Sequence, residues 1–312
     1  MNRPYHRSGM AVILSHIRGM ARAVGFMAWT LLVGGAWLGI RCFIPKHRRL
    51  RGAASTLSLW SRGLCRLLDI RVTTQEPFTA GRNQPRLLVS NHIGYLDVIV
   101  LASVSPALFV SKDDLAGWPV MGSLAKSVGT LFLDRKRPRA VAEVAAGMQR
   151  AFADGESVIV FPEGTTTNGK TVEAFHTALF EPALRAAIPV QAAVLQYRIR
   201  SDLDPAGMAA WTGDASFVPH LYRLFCGHGL NVRIVFQEAT VGMEVATDRR
   251  TVAMGIQAWM QRTLSEQRGD FLAPQIAPVF SVEAEVGDGL QGSDYLNGIH
   301  RDVLVQRPVM RV

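Results

Sequence analysis

The longest apolar interval of the chain runs from Ala23 to Ile40, eighteen residues without a charge. At about 1.5 Å rise per residue it predicts a helix of about 27 Å, just short of a bilayer's hydrocarbon core. Arg18 and Arg22 precede it, and Arg41, Lys46, Arg48, Arg49 and Arg51 follow it. Trp29 and Trp37 add amphipathic rings suited to the headgroup level. A second apolar stretch, Met10 to Ile17, is placed to pair with it as a re-entrant hairpin. The expectation is an N-terminal apolar membrane-anchor helix or helical hairpin. Spanning and lying in one leaflet both fit, because bases on both sides blunt the positive-inside rule. Arginines at both ends argue against a core helix. A cleaved signal peptide fits poorly, because the stretch starts late and no small-x-small site follows.

Further along, apolar runs alternate with helical windows. Strands are predicted at 86–90, 108–111, 130–133, 157–161, 188–197 and 231–238. Helices are predicted at 95–104, 113–126 (interrupted by Pro119 and Gly122), 140–153, 175–187 and 251–265. This alternation predicts an α/β fold with a mixed, largely parallel sheet flanked by helices. Residues 274–312 lose the periodicity and gain Pro, Gly and Asp, the composition of a peripheral, disordered tail. The chain therefore divides into a basic membrane-anchoring segment at 1–52, an α/β domain at 53–273 and the tail at 274–312.

Charge sharpens the first of these. The 312 residues carry a net +9, yet residues 1–75 hold twelve Lys/Arg against a single acid, Asp69, for +11. The remainder sums to −2, so the excess belongs to one end and argues against nucleic acid as a partner. An anionic leaflet suits it better, at about 1 kcal/mol per nearby cation. Cys42, Cys65 and Cys226 show no C-x-x-C spacing, which disfavours a disulfide scaffold or a zinc site. Apart from His92 and Asp97, no histidine is spaced with acids as metal ligands would be, and no metal is expected.

Three polar clusters follow strand-like runs, where α/β sheets place their sites. The first is Asn91-His92-Ile93-Gly94-Tyr95-Leu96-Asp97. Five residues of continuous helix would separate His92 and Asp97 by about 140°. They meet only if His92 precedes the helix and Gly94 lets the chain bend back. A carboxylate holding one imidazole nitrogen leaves the other free to accept a proton. The alternative is a dipole-favoured Asp in a helix's first turn beside an unrelated His. The second cluster ends a strand in Asp134-Arg135-Lys136-Arg137, with guanidinium forks matched to phosphate, or simply a solvated turn. The third, Phe161-Pro162-Glu163-Gly164-Thr165-Thr166-Thr167-Asn168-Gly169, brings a carboxylate and hydroxyls to a strand end, or is an ordinary Thr/Asn/Gly loop.

Together these clusters resemble the glycerolipid acyltransferase family, typified by 1-acyl-glycerol-3-phosphate acyltransferases and other lysophospholipid acyltransferases. The likeness covers about residues 60–240. His92 and Asp97 match its His-x4-Asp motif, Gly129 through Arg135 its Gly-x-x-Phe-x-Asp-Arg block, and Phe161 through Thr165 its third motif. Ile188-Pro189-Val190 stands at its fourth, and Lys112, Leu115, Pro119 and Gly122 fall in a similar segment.

The resemblance implies transfer of a fatty acyl group from a thioester, carried by acyl carrier protein or coenzyme A, to a lysolipid hydroxyl. No cofactor is implied beyond that co-substrate. By analogy His92 is the general base and Asp97 orients it; Arg135 grips the acceptor headgroup, with Phe161, Pro162, Glu163, Gly164 and Thr165 around it. Phe132 and Pro189 are weaker candidates for the acyl site. The implied setting is the cytoplasmic face of a bacterial inner membrane, with membrane lipids as partners. Two departures bear on the acceptor. Many relatives read Phe-Pro-Glu-Gly-Thr-Arg where this chain has Thr166, and Phe-Lys where it has Phe175-His176. Each removes a cation from the headgroup site. Lysophosphatidate stays ahead on Arg135, Lys136 and Arg137, with a phosphate-free lyso-lipid such as lyso-ornithine lipid as the runner-up. A hydrolase lacks a Gly-x-Ser-x-Gly nucleophile, and a non-enzymatic lipid binder has no use for the His–Asp pair.

Overall fold

The structure is a computed structural model that describes residues 9–75, 84–118, 121–134, 137, 139–199, 209–212, 215–237 and 248–266, without the side chains of 114, 115 and 199. Arg135, Lys136, Pro119, the side chain of Leu115 and the 274–312 tail lie outside the described residues.

Helix α1 runs unbroken over Gly9–Ile40, 32 residues. The stretches at 10–17 and 23–40 are therefore one helix, not two arms of a re-entrant hairpin. Nothing between them breaks a helix, and Arg18 and Arg22, four residues apart on one face, are both used. Arg18 donates to the carbonyl of Cys226, and Arg22 Nη1 to those of Phe225 (3.2 Å) and Gly227 (2.8 Å). These carbonyls end helix α7 (Phe217–Cys226), where cations complement the helix dipole. The returning arm of the hairpin is helix α2 (Arg49–Leu67), after a tight turn at Lys46–Arg48. Trp29 Nε1 donates to the Trp60 carbonyl at 3.0 Å, and Trp60 Nε1 to Thr30 Oγ1 at 3.1 Å. Gly63 lies directly under the Trp29 ring, which lets the two helices close.

Among the described residues, seven strands form one sheet: β1 (Ile70–Thr74), β2 (Leu87–Ser90), β3 (Leu108–Lys112), β4 (Leu131–Leu133), β5 (Val158–Val160), β6 (Val190–Ile199) and β7 (Leu230–Phe236). Their order is β1-β7-β6-β2-β5-β3-β4, parallel throughout except for the antiparallel β6–β7 pair. This is the mixed, largely parallel sheet the alternation predicts. All four residues of β2 are buried, as a central strand covered on both faces demands.

The faces divide the core in two. Leu88, Ile159, Leu195 and Val232 point to α2, α3 (Leu96–Val104) and α7. Leu87, Val158, Val160 and Val194 point to α5 (Ala140–Ala153), α6 (Glu181–Arg185) and α8 (Arg249–Glu266). Two predicted helices are shorter than expected. The 113–126 window resolves into a 3-10 turn at Asp113–Gly117 and α4 (Met121–Ser127). The 175–187 window holds a 3-10 turn at Thr177–Leu179 and α6, with Pro182 in the first turn of α6. The hairpin of α1 and α2 covers the α3 face, near the carboxyl ends of β2 and β5.

Candidate active site

The site begins where β2 ends. Asn91, fully buried, uses its side chain as a surrogate strand partner for β6: Oδ1 accepts from Leu195 N at 2.7 Å and Nδ2 donates to Leu195 O at 3.2 Å. This pins the next residue, His92, at the mouth of the sheet before α3 begins. The turn Ile93–Tyr95 then returns the chain so that Asp97, in the first turn of α3, faces back. His92 Nδ1 donates to Asp97 Oδ2 at 2.8 Å, leaving Nε2 to take a proton. The same oxygen accepts from the backbone N–H groups of Ile93 (2.6 Å) and Gly94 (3.0 Å).

Gly94 is needed for a reason other than chain bending. Its φ is not in the left-handed region, but a Cβ there would stand 2.9 Å from the Ala209 carbonyl oxygen. The segment carrying Trp211 packs on the turn at that point, and Trp211 N donates to Ile93 O at 3.0 Å.

Asp97 is completely buried, and Tyr197 OH, from β6, donates to its free oxygen Oδ1 at 2.7 Å. Burial, with the Asp97 charge beside it, pushes the Tyr197 phenol well above its ordinary range, so it remains a donor. Nothing in the spacing of the motifs signals Tyr197; only the pairing of β6 beside β2 brings it there. A second network lies alongside. Tyr95 OH donates to His220 Nδ1 at 2.9 Å, and His220 Nε2 donates to Ala210 O at 3.1 Å. Burial holds the His220 imidazole below its ordinary value, consistent with the neutral form this pattern requires.

The third motif closes over His92. Phe161 stacks on the imidazole with ring centroids 4.1 Å apart and planes 16° from parallel. Gly164 turns the chain with φ +67°, a conformation that favours glycine. Glu163 is 4% exposed, its Oε1 accepting from His92 N at 2.7 Å and its Oε2 from Glu173 N at 2.8 Å. Burial pushes its carboxyl up to about 7, against the pull of the Glu173 and His92 amides.

A cavity of about 640 Å³ opens from His92. Phe161, Gly164 and Thr165 line it, whereas Asp97, Glu163 and Pro162 lie behind that wall. Helix α1 forms part of the lining through Phe26, Thr30, Val33 and Trp37. Lys112 is the single lysine or arginine among the described residues of the wall, and no described acid joins it. Thr166 lines it too, its Oγ1 donating to the Trp211 carbonyl at 2.5 Å, and so does His176.

The remaining described candidates, Phe132 and Pro189, do not line the cavity. Arg135 and Lys136 fall outside the described residues, and Arg137 pairs with Asp134 (3.0 Å) and Glu143 (3.2 Å) on the surface. Phe132, in the edge strand β4, is not a cavity residue although its neighbour Leu133 is. Pro189 precedes β6 and accepts from Leu87 N at 3.0 Å, at the end of the sheet opposite His92.

Comparison with known proteins identifies the family. The family profile described as Acyltransferase matches residues 69–196. The chain is 32% identical over 245 residues to the lyso-ornithine lipid O-acyltransferase of Rhizobium meliloti, covering 74% of this chain and 78% of that one. It is 33% identical to the lyso-ornithine lipid O-acyltransferase of Pseudomonas aeruginosa, over 64% of this chain and 78% of that one. The 1-acyl-sn-glycerol-3-phosphate acyltransferase of Neisseria gonorrhoeae is 28% identical, over 61% and 71%. The crystal structure of the 1-acyl-sn-glycerophosphate (LPA) acyltransferase PlsC from Thermotoga maritima superposes with a TM-score of 0.61 at 16% identity, covering 82% of this chain and 97% of that one. The chain belongs to the glycerolipid acyltransferase family.

Proposed function

We propose that this acyltransferase moves a fatty acyl group from an acyl thioester to the free hydroxyl of a lyso-lipid without phosphate, with lyso-ornithine lipid as the acceptor. The observation that carries the reaction is the His92–Asp97 pair on the wall of a largely apolar cavity. His92 Nε2 removes the proton as the acceptor oxygen attacks the thioester carbonyl. The carbon–sulfur bond then breaks, and the imidazolium returns the proton to the departing thiolate. Asp97 holds the ring and stabilises its charged form, with three N–H groups and the Tyr197 hydroxyl pointing at its carboxylate.

The charge of the described cavity wall supports this choice of acceptor. A phosphate monoester calls for fixed cations, and the described wall offers one lysine, with Thr166 and His176 where many relatives carry Arg and Lys. The relatives at 32% and 33% identity, named for lyso-ornithine lipid, support the same choice. Lysophosphatidate, which the basic triplet at 135–137 favours, is the second reading, supported by Lys112 and by the relative from Neisseria gonorrhoeae. The test is a panel with one labelled acyl thioester. A kcat/KM at least tenfold higher for lyso-ornithine lipid supports the first reading, and the reverse preference replaces it with the second.

The placement of α1 bears on how such an acceptor arrives. By length and composition α1 could cross a bilayer. Yet it touches the body from His16, at Tyr222, to Trp37, at the Ser127 carbonyl. The twenty-two residues from His16 to Trp37 span about 32 Å of helix. Standing upright in a bilayer, it would drag the sheet domain into hydrocarbon. We therefore place it along one leaflet, with Met10, Ile17, Leu31 and Leu32, each more than half exposed, toward lipid. Exposed Lys46, His47 and Arg48 beside Phe43, which is 88% exposed, suit the anionic cytoplasmic surface.

A further inference from the structure

We propose that Glu163 is a positioning residue that fixes the backbone of His92, and that it does not contact the acceptor headgroup. The inference rests on the reading of His92 as general base. Glu163 sits between two cavity-lining residues, Phe161 and Gly164, yet is not part of the wall itself. Its carboxylate is turned the other way and both of its oxygens are taken. One accepts the N–H of His92 at 2.7 Å, and the other the N–H of Glu173 at 2.8 Å. A headgroup donor would have to displace one of these bonds from a group that is 4% exposed.

The bond to His92 reaches its backbone, which Asp97 and Phe161, acting on the ring, leave unconstrained. Asp97 fixes the ring in its plane through Nδ1, and Phe161 fixes the plane by stacking. On the other side, Thr167 holds the carbonyl of His92 through its N–H at 2.8 Å and its hydroxyl at 3.3 Å. The backbone of His92 is thus clamped at its amide by Glu163 and at its carbonyl by Thr167, four residues further along the same loop. The loop that follows β5 therefore sets where the base stands, while its Gly164, Thr165 and Thr166 face the substrates. Misplacing a reacting group by about 1 Å costs on the order of 10²-fold in rate. A carboxylate that acts in this way changes the chemical step and leaves acceptor binding alone.

The test uses the full-length enzyme in mixed micelles, with a labelled acyl thioester and a lyso-ornithine lipid series. Glu163→Gln offers one acceptor where two are needed and turns an N–H toward the other amide. It is expected to lower kcat by about 10- to 100-fold with the acceptor KM within about twofold of wild type. Glu163→Asp keeps the charge but cannot span both amides, and should show the same split more weakly. It is the variant to read if Glu163→Gln loses its thermal transition. An acceptor KM raised about tenfold or more with kcat within twofold would overturn the proposal and make Glu163 a headgroup ligand. His92→Ala, assayed alongside, separates the two claims. If that variant stays active, the base assignment fails, whereas a dead His92→Ala with a KM-type Glu163→Gln sinks the positioning role alone.

Discussion

Asp97 accepts four hydrogen bonds while fully buried, and one comes from a residue a hundred positions away. Replacing Tyr197 by Phe leaves Asp97 Oδ1 without a partner, which costs about 1–3 kcal/mol. The expected result is a lower melting temperature and a kcat reduced about tenfold, read from thermal denaturation and initial rates. Glu163 gives a pH signature. Burial raises its carboxyl from an ordinary 4.5 to about 7, so the folded chain holds that proton more tightly than the unfolded one. Its contribution to stability is present below about 4.5 and is lost as pH rises through about 7. Relative to Glu163→Gln, which does not titrate, wild type should lose on the order of 3 kcal/mol between pH 4 and pH 8. Melting curves of both proteins across that range check it; a constant difference would contradict the burial of an ionisable carboxyl.

Among the elements, those with a plain hydrophobic rhythm were legible in advance. The strands at 87–90, 108–112 and 158–160 and the helix at 140–153 match their predicted windows within one or two residues. Helix α2 was not foreseen, and its buried face explains why. Ala53, Ala54, Ser58 and Ser61 are small or polar, so the buried stripe does not read as apolar. Strand β1, five residues with Arg71 exposed at its second position, and α7, with Pro219 inside it, give equally faint patterns. The pairing of His92 with Asp97 was legible because five residues and a glycine admit it. Tyr197 and the inward turn of Glu163 depend on strand order and loop closure, which spacing does not encode. At the α1–α2 contact, Gly63→Val would drive a side chain into the Trp29 ring. Overpacking of this kind costs about 1–3 kcal/mol. A fall in melting temperature with kcat per folded enzyme unchanged is expected, and an unchanged melting temperature would mean that the hairpin does not close as described.

For the molecule as a whole, the positive end of the chain is less uniformly membrane-facing than its charge suggests. Arg18 and Arg22 cap α7, Arg62 Nε donates to the Ser103 carbonyl of α3 at 2.9 Å, and Arg51 pairs with Glu156 at 3.1 Å. Arg49 bonds the Ile44 carbonyl at 3.1 Å within the turn. At least four of the twelve bases in residues 1–75, Arg18, Arg22, Arg51 and Arg62, therefore hold the anchor to the body. Lys46 and Arg48, exposed beside Phe43, are free to face lipid. Lys46→Ala with Arg48→Ala should weaken binding to anionic vesicles by about 2 kcal/mol and leave the melting temperature unchanged. Arg22→Ala should do the opposite, lowering the melting temperature with vesicle affinity kept; flotation and thermal scans on the same samples separate the two.

The proposed function rests on His92 as the base that removes the proton of the acceptor hydroxyl. The most direct measurement is kcat of His92→Ala with a labelled acyl thioester and lyso-ornithine lipid, on protein shown to be folded and vesicle-bound. General-base catalysis is worth about 10²–10⁴-fold, and the role proposed for His92 predicts a loss of kcat in that range. More than about a tenth of wild-type turnover would contradict it.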